Sequence, residues 1–537
     1  MINKTKLLNL NKKNLNYIFN LFLFFYLIFG LFLSVNTGVS TDAFIEENIW
    51  KKNLEAIKNV FGHNNDGYSD LLNFGDKYYG VGFNFLSQVY VYLVSFLVNF
   101  KGLSEEISKV LLKHNFIFFT FFLSALISAK IVNLIIKDKF FSKIFLIFYL
   151  FYPFLLGHGF YNPKDTPFLF AWILSTYLSI KIFLKIYNKK NISYQKIFIF
   201  ALSTAFLFSI RITGVLIILQ YFITFIITSK YLKESYYEII KIYFFKIFLF
   251  LLFTLTLLII LYPIFWKNPL LIFDSIFQAK NIQYGVCTLT LGKCMDALDL
   301  PSSYVFIWLF FKLPLISLIG LLLFPFVEKK IFSQSLNQIV LGSILLTIIS
   351  IIFILIFFKV NLYDELRHIL FLVPLFLIVT FPIIYFFSKK ITLFITIVSI
   401  FFFTAQNINM YPYQYTWFNS FGNLVDINNK FEIDYWGISG RNIAKRINNN
   451  ERLTLDKNMC IYVDPIHIIK HFISNDYKCV KPFSSIYPKS TEKYILVKYM
   501  RNIRRENPSN CELIFQESYN LNFIRNRLIL GEVYICN

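Results

Sequence analysis

Blocks of about twenty apolar residues recur along the chain, and no other feature constrains its fold as much. A helix needs roughly 20 such residues to cross the hydrocarbon core of a bilayer. Candidate spans lie near 17–35, 113–136, 143–157, 167–187, 194–210, 212–229, 242–262, 303–324, 337–359, 368–387 and 389–405, with a further apolar block at 82–100. Only 16% of the 537 residues are charged and 56% are hydrophobic, whereas soluble domains average roughly 25% charged. That balance excludes a soluble enzyme with one anchor, and it excludes disorder. The expected fold is an all-α polytopic membrane protein with about eleven transmembrane helices.

The chain has 53 basic and 31 acidic side chains, a net charge of +22. The lysines mostly sit between apolar blocks, where they act as topology signals and contacts for anionic lipid, so nucleic acid is not expected as a partner. Lys4, Lys6, Lys12 and Lys13 precede the first block. No small-residue cleavage site follows it, so the block is read as an uncleaved span starting in the cytoplasm, not as a signal peptide. If 82–100 does not cross, the Lys-rich segments 137–143, 186–196, 229–241, 327–330 and 388–390 all face the cytoplasm. If it crosses, all of them face outward. The first option obeys the positive-inside rule. Asn84, Ser87, Gln88, Ser95 and Asn99 also weaken 82–100 as a lipid-facing span, so it is expected to be interfacial or re-entrant.

This divides the chain into a membrane module, 1–405, whose first outer loop is 37–112, and an extracytoplasmic region, 406–537. From about residue 430 the apolar runs shorten to strand length (460–464, 493–500, 511–515 and 532–536) with a helical stretch at 465–474. They predict a small α/β domain. Six cysteines, Cys287, Cys294, Cys460, Cys479, Cys511 and Cys536, all lie outside the spans. An even count in an oxidising compartment favours disulfides over zinc, for which no C-x2-C spacing exists. Cys287 and Cys294 are expected to pair; three connectivities remain open for the last four.

Four polar motifs fall on the outer side. Ser40-Thr41-Asp42 follows the first span, with Glu46 and Glu47 behind it; Thr41 or Asp42 could simply cap a helix starting near Phe44. Residues 157–167, GHGFYNPKDTP, place His158, Asn162, Lys164 and Asp165 in a proline-stiffened turn. Arg211 lies between two apolar blocks with almost no loop. It needs an anionic partner or must snorkel to headgroups. Tyr363-Asp364-Glu365-Leu366-Arg367-His368 enters a late span. There Arg367 could fork onto a phosphate, or pair with Asp364 or Glu365.

The pieces GHGFYNPKDTPF, IRITG, YPIFW-NP, LDLPSSYVFIW…KLPL, LYDELRH, YPYQYTWFN and FEIDYWGIS occur in this order over residues 40–440. They resemble bacterial GT-C glycosyltransferases, akin to protein O-mannosyltransferases (glycosyltransferase family 39-like), aminoarabinose transferases and the lipid A galacturonosyltransferase-like group. The resemblance implies a polyprenyl-phosphate-linked sugar donor, a protein or glycolipid acceptor hydroxyl at the outer face of a bacterial plasma membrane, and inverting transfer. Asp42 falls at the family's first-loop catalytic Asp, although Ala43 stands where Glu usually follows, so Glu46 or Glu47 could substitute. Asp165 matches the second outer acid, and Arg367 and His368 match an Arg-His pair. The candidate catalytic residues are thus Asp42 and Asp165, and the candidate substrate-binding residues are Arg367 and His368 from the resemblance, with His158, Asn162, Lys164, Arg211 and Tyr363 from the motifs themselves. Metal use stays open; Asp42 and Asp165 could share a divalent cation.

The residue types suit that chemistry. A carboxylate can take the acceptor's proton, and cations can stabilise a leaving lipid phosphate. No G-x-G-x-x-G follows a strand, as a nucleotide-sugar enzyme with a Rossmann-like domain would show. The alternatives are a lipid-linked-sugar transporter or flippase, and a non-catalytic relative that binds a glycolipid.

Overall fold

The computed structural model describes residues 4–62, 66–98, 100, 102–278, 285–454, 459–482, 493–506, 510–521 and 527–536, with side chains from residue 14 onward. Lys4, Lys6, Lys12, Lys13 and Asn99 therefore lie outside the described side chains. Among the described residues, seven helices are long and apolar enough to cross a membrane: Asn14–Val35, Glu105–Ile136, Asp165–Tyr187, Ile212–Leu232, Tyr236–Leu261, Ser335–Phe357 and Lys389–Met410. The number rises to nine if each of two bent pairs counts as one span. Tyr194–Ile210 and Leu372–Phe387 are apolar but shorter. Large apolar side chains stand exposed on several of these helices, among them Phe24, Phe25 and Phe32 on the first and Phe244 and Leu251 on Tyr236–Leu261.

Two expected straight spans are broken instead. Residues 143–157 fall in Lys139–Phe151 and Pro153–Tyr161, bent by 62°, and 303–324 in Ser303–Lys312 and Leu315–Phe332, bent by 114°. Each break has a proline beside it, Pro153 and Pro314. Tyr152 and Leu313, the preceding residues, take extended backbone (ψ 112° and 140°), as a residue before proline prefers. Elsewhere the caps are local. Asp138 accepts from Phe140 N at 3.1 Å, and Lys137 is left-handed (φ 52°), so a two-residue turn reverses the chain between neighbouring helices.

The loop between the first and second long helices holds three helices, Thr41–Phe61, Asp66–Asn73 and Gly82–Ser95; the first and third correspond to the helix considered near Phe44 and the one expected at 82–100, and the second was not expected. At 14 residues Gly82–Ser95 is only about 21 Å long, too short for a bilayer core and in keeping with the interfacial reading. Side-chain contacts join the Lys-rich loops at one end of the bundle. Lys189 pairs with Glu234, Lys389 with Asp138, Tyr187 with Ser335, and Lys330 reaches the Phe386 carbonyl. Lys143 donates to Asn16, which puts the start of the first span at that same end.

The described residues include seven strands. β1 (Cys287–Thr290) and β2 (Lys293–Asp296) form a hairpin in the 263–302 loop, turning through Leu291 and Gly292, both with positive φ. β3 (Cys460–Val463), β4 (Cys479–Pro482), β5 (Tyr494–Tyr499), β6 (Cys511–Asn520) and β7 (Arg527–Cys536) form one sheet in the order β4-β3-β5-β7-β6. The first three strands of that order run parallel; β7 is antiparallel to β5 and β6. β4 was not expected, β6 and β7 are longer than their apolar cores, and the expected helix 465–474 is the short Ile466–Lys470. Helix Gly440–Asn448 buries Ile443, Ala444 and Ile447 in a core with Ile468, Ile469, Val497 and Val533. The disulfides are Cys287–Cys294, Cys460–Cys479 and Cys511–Cys536; the first is the expected pair.

Candidate functional site

Away from the Lys-rich end, the polar motifs converge. Helix Thr41–Phe61 starts three residues earlier than the capping argument requires. Ser40 is its N-cap, with no side-chain cap bond, so Asp42 lies inside the first turn and is not the cap. Its carboxylate meets the Arg367 guanidinium at 3.2 Å, with about a fifth (21%) of the side chain exposed. The next turns carry Glu46, which binds Lys164 at 2.6 Å, and Glu47, which binds Lys113 at 3.0 Å. Lys113 also donates to Asn84 on Gly82–Ser95 (3.1 Å), and Gln88 on the same helix donates to Glu47 (3.2 Å).

The NPKD turn is organised by Asn162. Its carbonyl oxygen accepts from Lys164 N (3.2 Å) and Asp165 N (2.8 Å), which fixes the start of helix Asp165–Tyr187. Its amide donates to Asp165 Oδ2 at 3.1 Å and lies 3.0 Å from His158 Nδ1. With the amide donating, Nδ1 must accept and the ring proton sits on Nε2. Gly157 permits this packing, because a Cβ there would lie 2.1 Å from Tyr415 N. The other Asp165 oxygen meets Arg211 at 2.5 Å. Arg211 therefore has the anionic partner that snorkelling would have made unnecessary. Lys164 is stacked 4.0 Å from the Tyr79 ring centre and feels the charges of Arg211 and Asp42.

The third component is the segment 361–369. Asp364 and Glu365 are successive left-handed residues (φ 55° and 64°), a strained arrangement for non-glycine residues. Fixed partners hold it. Asp364 N donates to Thr288 Oγ1 (2.9 Å), Glu365 pairs with Lys312 at 2.9 Å, and the Glu365 carbonyl accepts from Tyr304 (3.2 Å). Arg367 uses Nη1 for Asp364 (3.3 Å) and Nη2 for Asp42. Its guanidinium also lies against the rings of Tyr363 (4.9 Å) and Trp436 (5.7 Å), and His368 packs edge-on to Tyr363 (4.4 Å). Of the sequence alternatives for Arg367, the pair with Asp364 is present, and the contact with the first-loop acid Asp42 was not among them. Burial pushes the Asp364 carboxyl up to about 6, against Arg501 and Arg367, and the Glu365 carboxyl up to about 7, against Lys312. Burial also works against the Arg367 charge, but Asp42 and Asp364 outweigh it and keep the guanidinium ionised.

The YPYQY and DYWG pieces complete the wall. Asp434 accepts from Tyr415 and from the amides of Ile438 (2.8 Å) and Ser439 (3.2 Å), closing a loop that turns at Gly437 (φ 72°). Trp436 from that loop touches the rings of His158 (5.4 Å) and Tyr161 (5.6 Å). Around it, His158 Nε2, Tyr161 Oη, Tyr435 Oη, Trp436 Nε1 and Arg367 Nε are buried without a hydrogen-bond partner among the described residues. Each such orphan costs roughly 1–3 kcal/mol, so their concentration marks this cluster as a place where a ligand's polar groups would be favourable.

All nine residues singled out from sequence therefore stand in one network of contacts. The sequence reading gave no role to Lys113, Lys312, Glu432, Asp434, Trp436, Arg501 or Arg504. Glu432, Asp434, Trp436 and Lys312 sit inside motifs already quoted, and that was the available signal. Among the described residues no group of three His, Cys, Asp or Glu side chains could hold a metal ion, and Asp42 and Asp165 are engaged by different arginines. Comparison of the chain with known protein families, curated proteins and solved structures gave no match.

Proposed function

We propose that the chain is a membrane glycosyltransferase of GT-C type that moves a sugar from a polyprenyl phosphate to an acceptor hydroxyl at the outer face of the membrane. The observation that carries this reading is the Asp42–Arg367 contact: a partly exposed carboxylate beside a buried guanidinium, with Asp165–Arg211 and Glu46–Lys164 in the same network. Asp42 takes the proton of the acceptor hydroxyl as its oxygen attacks the anomeric carbon. The bond from that carbon to the phosphate oxygen breaks, and the lipid phosphate leaves with its charge stabilised by Arg367, Arg211 and Lys164. His158, Asn162, Tyr363 and His368 supply the surrounding polar and aromatic contacts, and Asp165 fixes Arg211. Each of these cations is already paired with a carboxylate, so the donor phosphate enters by exchanging partners. Arg367, shared between two acids, is the natural point of exchange.

In this reading the exposed apolar belt faces lipid, about eleven segments cross a bacterial plasma membrane, and the disulfide-bonded sheet lies outside. The Lys-rich end with the N-terminus lies inside. A cysteine placed at Lys190 is then labelled only from the cytoplasmic side. The two bent helix pairs and the fully buried Lys312–Glu365 pair beside one of them favour a second reading, a transporter of lipid-linked sugar. Mass spectrometry of extracytoplasmic glycolipids and glycoproteins, with and without this protein, tests for either activity, and transfer by the purified protein in detergent, where no membrane is left to cross, separates the two. Transfer predicts that one sugar modification disappears. Glycolipids and glycoproteins that match in the two samples, mass for mass, would overturn it.

A further inference from the structure

We propose that Arg501, carried by the C-terminal sheet, is a positioning residue for Arg367: it holds Asp364 in the place from which Asp364 directs the Arg367 guanidinium onto Asp42. Only the consequence for a lipid phosphate rests on the glycosyltransferase reading; the coupling between the sheet and the mouth does not.

The argument starts from an alternating row of charges. Asp42 meets Arg367, Arg367 meets Asp364, Asp364 meets Arg501, Arg501 lies 3.8 Å from Glu432, and Glu432 meets Arg504 at 3.2 Å. The row runs from the first outer helix to the short 3-10 turn Met500–Arg504, which follows directly on β5, the middle strand of the sheet. Arg501 and Asp364 are 137 residues apart in sequence, so the contact exists only where the sheet domain packs against the helical module. At the sheet end of the row the acids are the buried members: the Asp364 side chain is 6% exposed and that of Glu432 is 0% exposed, while Arg501 is 36% exposed. A carboxylate so buried keeps its charge only beside cations. Arg501 is the largest charge opposing the burial of Asp364, ahead of Arg367. Removing it favours the protonated acid, which offers Arg367 Nη1 only a neutral carbonyl oxygen in place of a charge-assisted bond. The segment it would release is also the strained one, with left-handed Asp364 and Glu365. The sheet therefore does more than cover the mouth; it selects the geometry of the cation facing Asp42.

The test is hydrogen exchange of the full chain in lipid nanodiscs, comparing Arg501→Met, Arg501→Lys and Arg452→Met. The last breaks an exposed ion pair of the same domain, with Glu512. Arg501→Met is expected to speed exchange of residues 361–369 by roughly tenfold or more and to leave β5 and β7 protected. Arg501→Lys restores much of the protection, and Arg452→Met changes nothing at 361–369. Wild-type exchange of 361–369 in Arg501→Met would overturn the proposal. If Arg501→Met also loosens the sheet, Arg501→Lys decides: a native sheet with 361–369 still fast would overturn it as well. A parallel titration with a polyprenyl phosphate is expected to show weaker binding to Arg501→Met than to the wild type. Wild-type protein that fails to bind the lipid defeats the donor reading and leaves the exchange result standing.

Discussion

The two ends of the helical bundle use the same residue types for opposite purposes. At the Lys-rich end the ion pairs are exposed: Lys189–Glu234 has side chains 70% and 31% accessible, and Lys389–Asp138 has 62% and 26%. At the other end Lys164–Glu46 shows 5% and 8%, and Lys312–Glu365 shows none. An exposed pair contributes little to stability, typically 0–1 kcal/mol. A buried pair is costly to assemble and costlier to break, because one partner left alone is an uncompensated charge. The lysines at the first end need no reason beyond the proposed membrane topology. The paired charges at the second end need a further one, which the proposed phosphate chemistry would supply.

The sharpest break in this comparison is Lys312→Met. It strands Glu365 among Phe154, Trp308 and Phe418, whose rings surround the ammonium, and should cost about 3 kcal/mol or more. Denaturation in mixed micelles measures it, and adding Glu365→Leu should recover most of the loss. A single variant as stable as the wild type would show that the pair is not a buried one in the membrane.

Next is Arg367→Lys. One ammonium cannot keep both the Asp42 and the Asp364 contacts and also fork onto phosphate, so one charge-assisted bond of roughly 1.5–3 kcal/mol is lost. Affinity for a polyprenyl phosphate should fall about tenfold or more; unchanged affinity would remove Arg367 from donor recognition.

A smaller effect is expected in pH dependence. Burial, against its hydrogen bonds, raises the Asp434 carboxyl from 3.8 to about 6. Between those values the folded chain keeps a proton that the unfolded chain has released, so this group's contribution to stability falls as pH rises from 3.8 to about 6 and is flat above. Asp434→Asn should remove that part of the slope from a series of melting curves; an identical slope would show that Asp434 does not titrate in this window. The smallest effect belongs to the exposed end. Lys189→Ala should change stability by about 0.5 kcal/mol or less in the same denaturation assay, and a loss approaching that of Lys312→Met would abolish the contrast.

Much of this was legible in the sequence because it depends on local pattern. Lysine spacing sorted the loops, short apolar runs announced β3 and β5, and the Cys287–Cys294 spacing anticipated a disulfide. The broken helices were written there too, in Tyr152-Pro153 and Leu313-Pro314, but a window of twenty apolar residues averages over a proline. β4 was missed because Cys479–Pro482 is four residues with a mixed pattern, and its strand state comes from pairing with β3. In the site, the acids and bases of the four polar motifs could be suspected singly, but the pairing between motifs could not. Glu46–Lys164, Asp165–Arg211 and Asp42–Arg367 join different motifs, and Arg501 arrives from another domain. Asp42 also illustrates a local rule correctly stated and wrongly applied. An acid after a span can cap a helix, but the helix here begins at Thr41 and Ser40 takes that position.

That placement makes Asp42→Asn the most direct test of the account. Asp42 is not the cap, and Arg367 keeps Asp364 as a partner, so the variant should fold and insert normally. An amide cannot accept the acceptor's proton, so transfer should fall by roughly 10²-fold or more. The measurement is mass spectrometry of extracytoplasmic glycolipids and glycoproteins from cells carrying wild type, Asp42→Asn or no protein, with expression of the variant verified. The account predicts that the sugar modification present with the wild type is missing from the Asp42→Asn sample, as it is without the protein. A well-expressed Asn variant that restores the wild-type modification in full would contradict it.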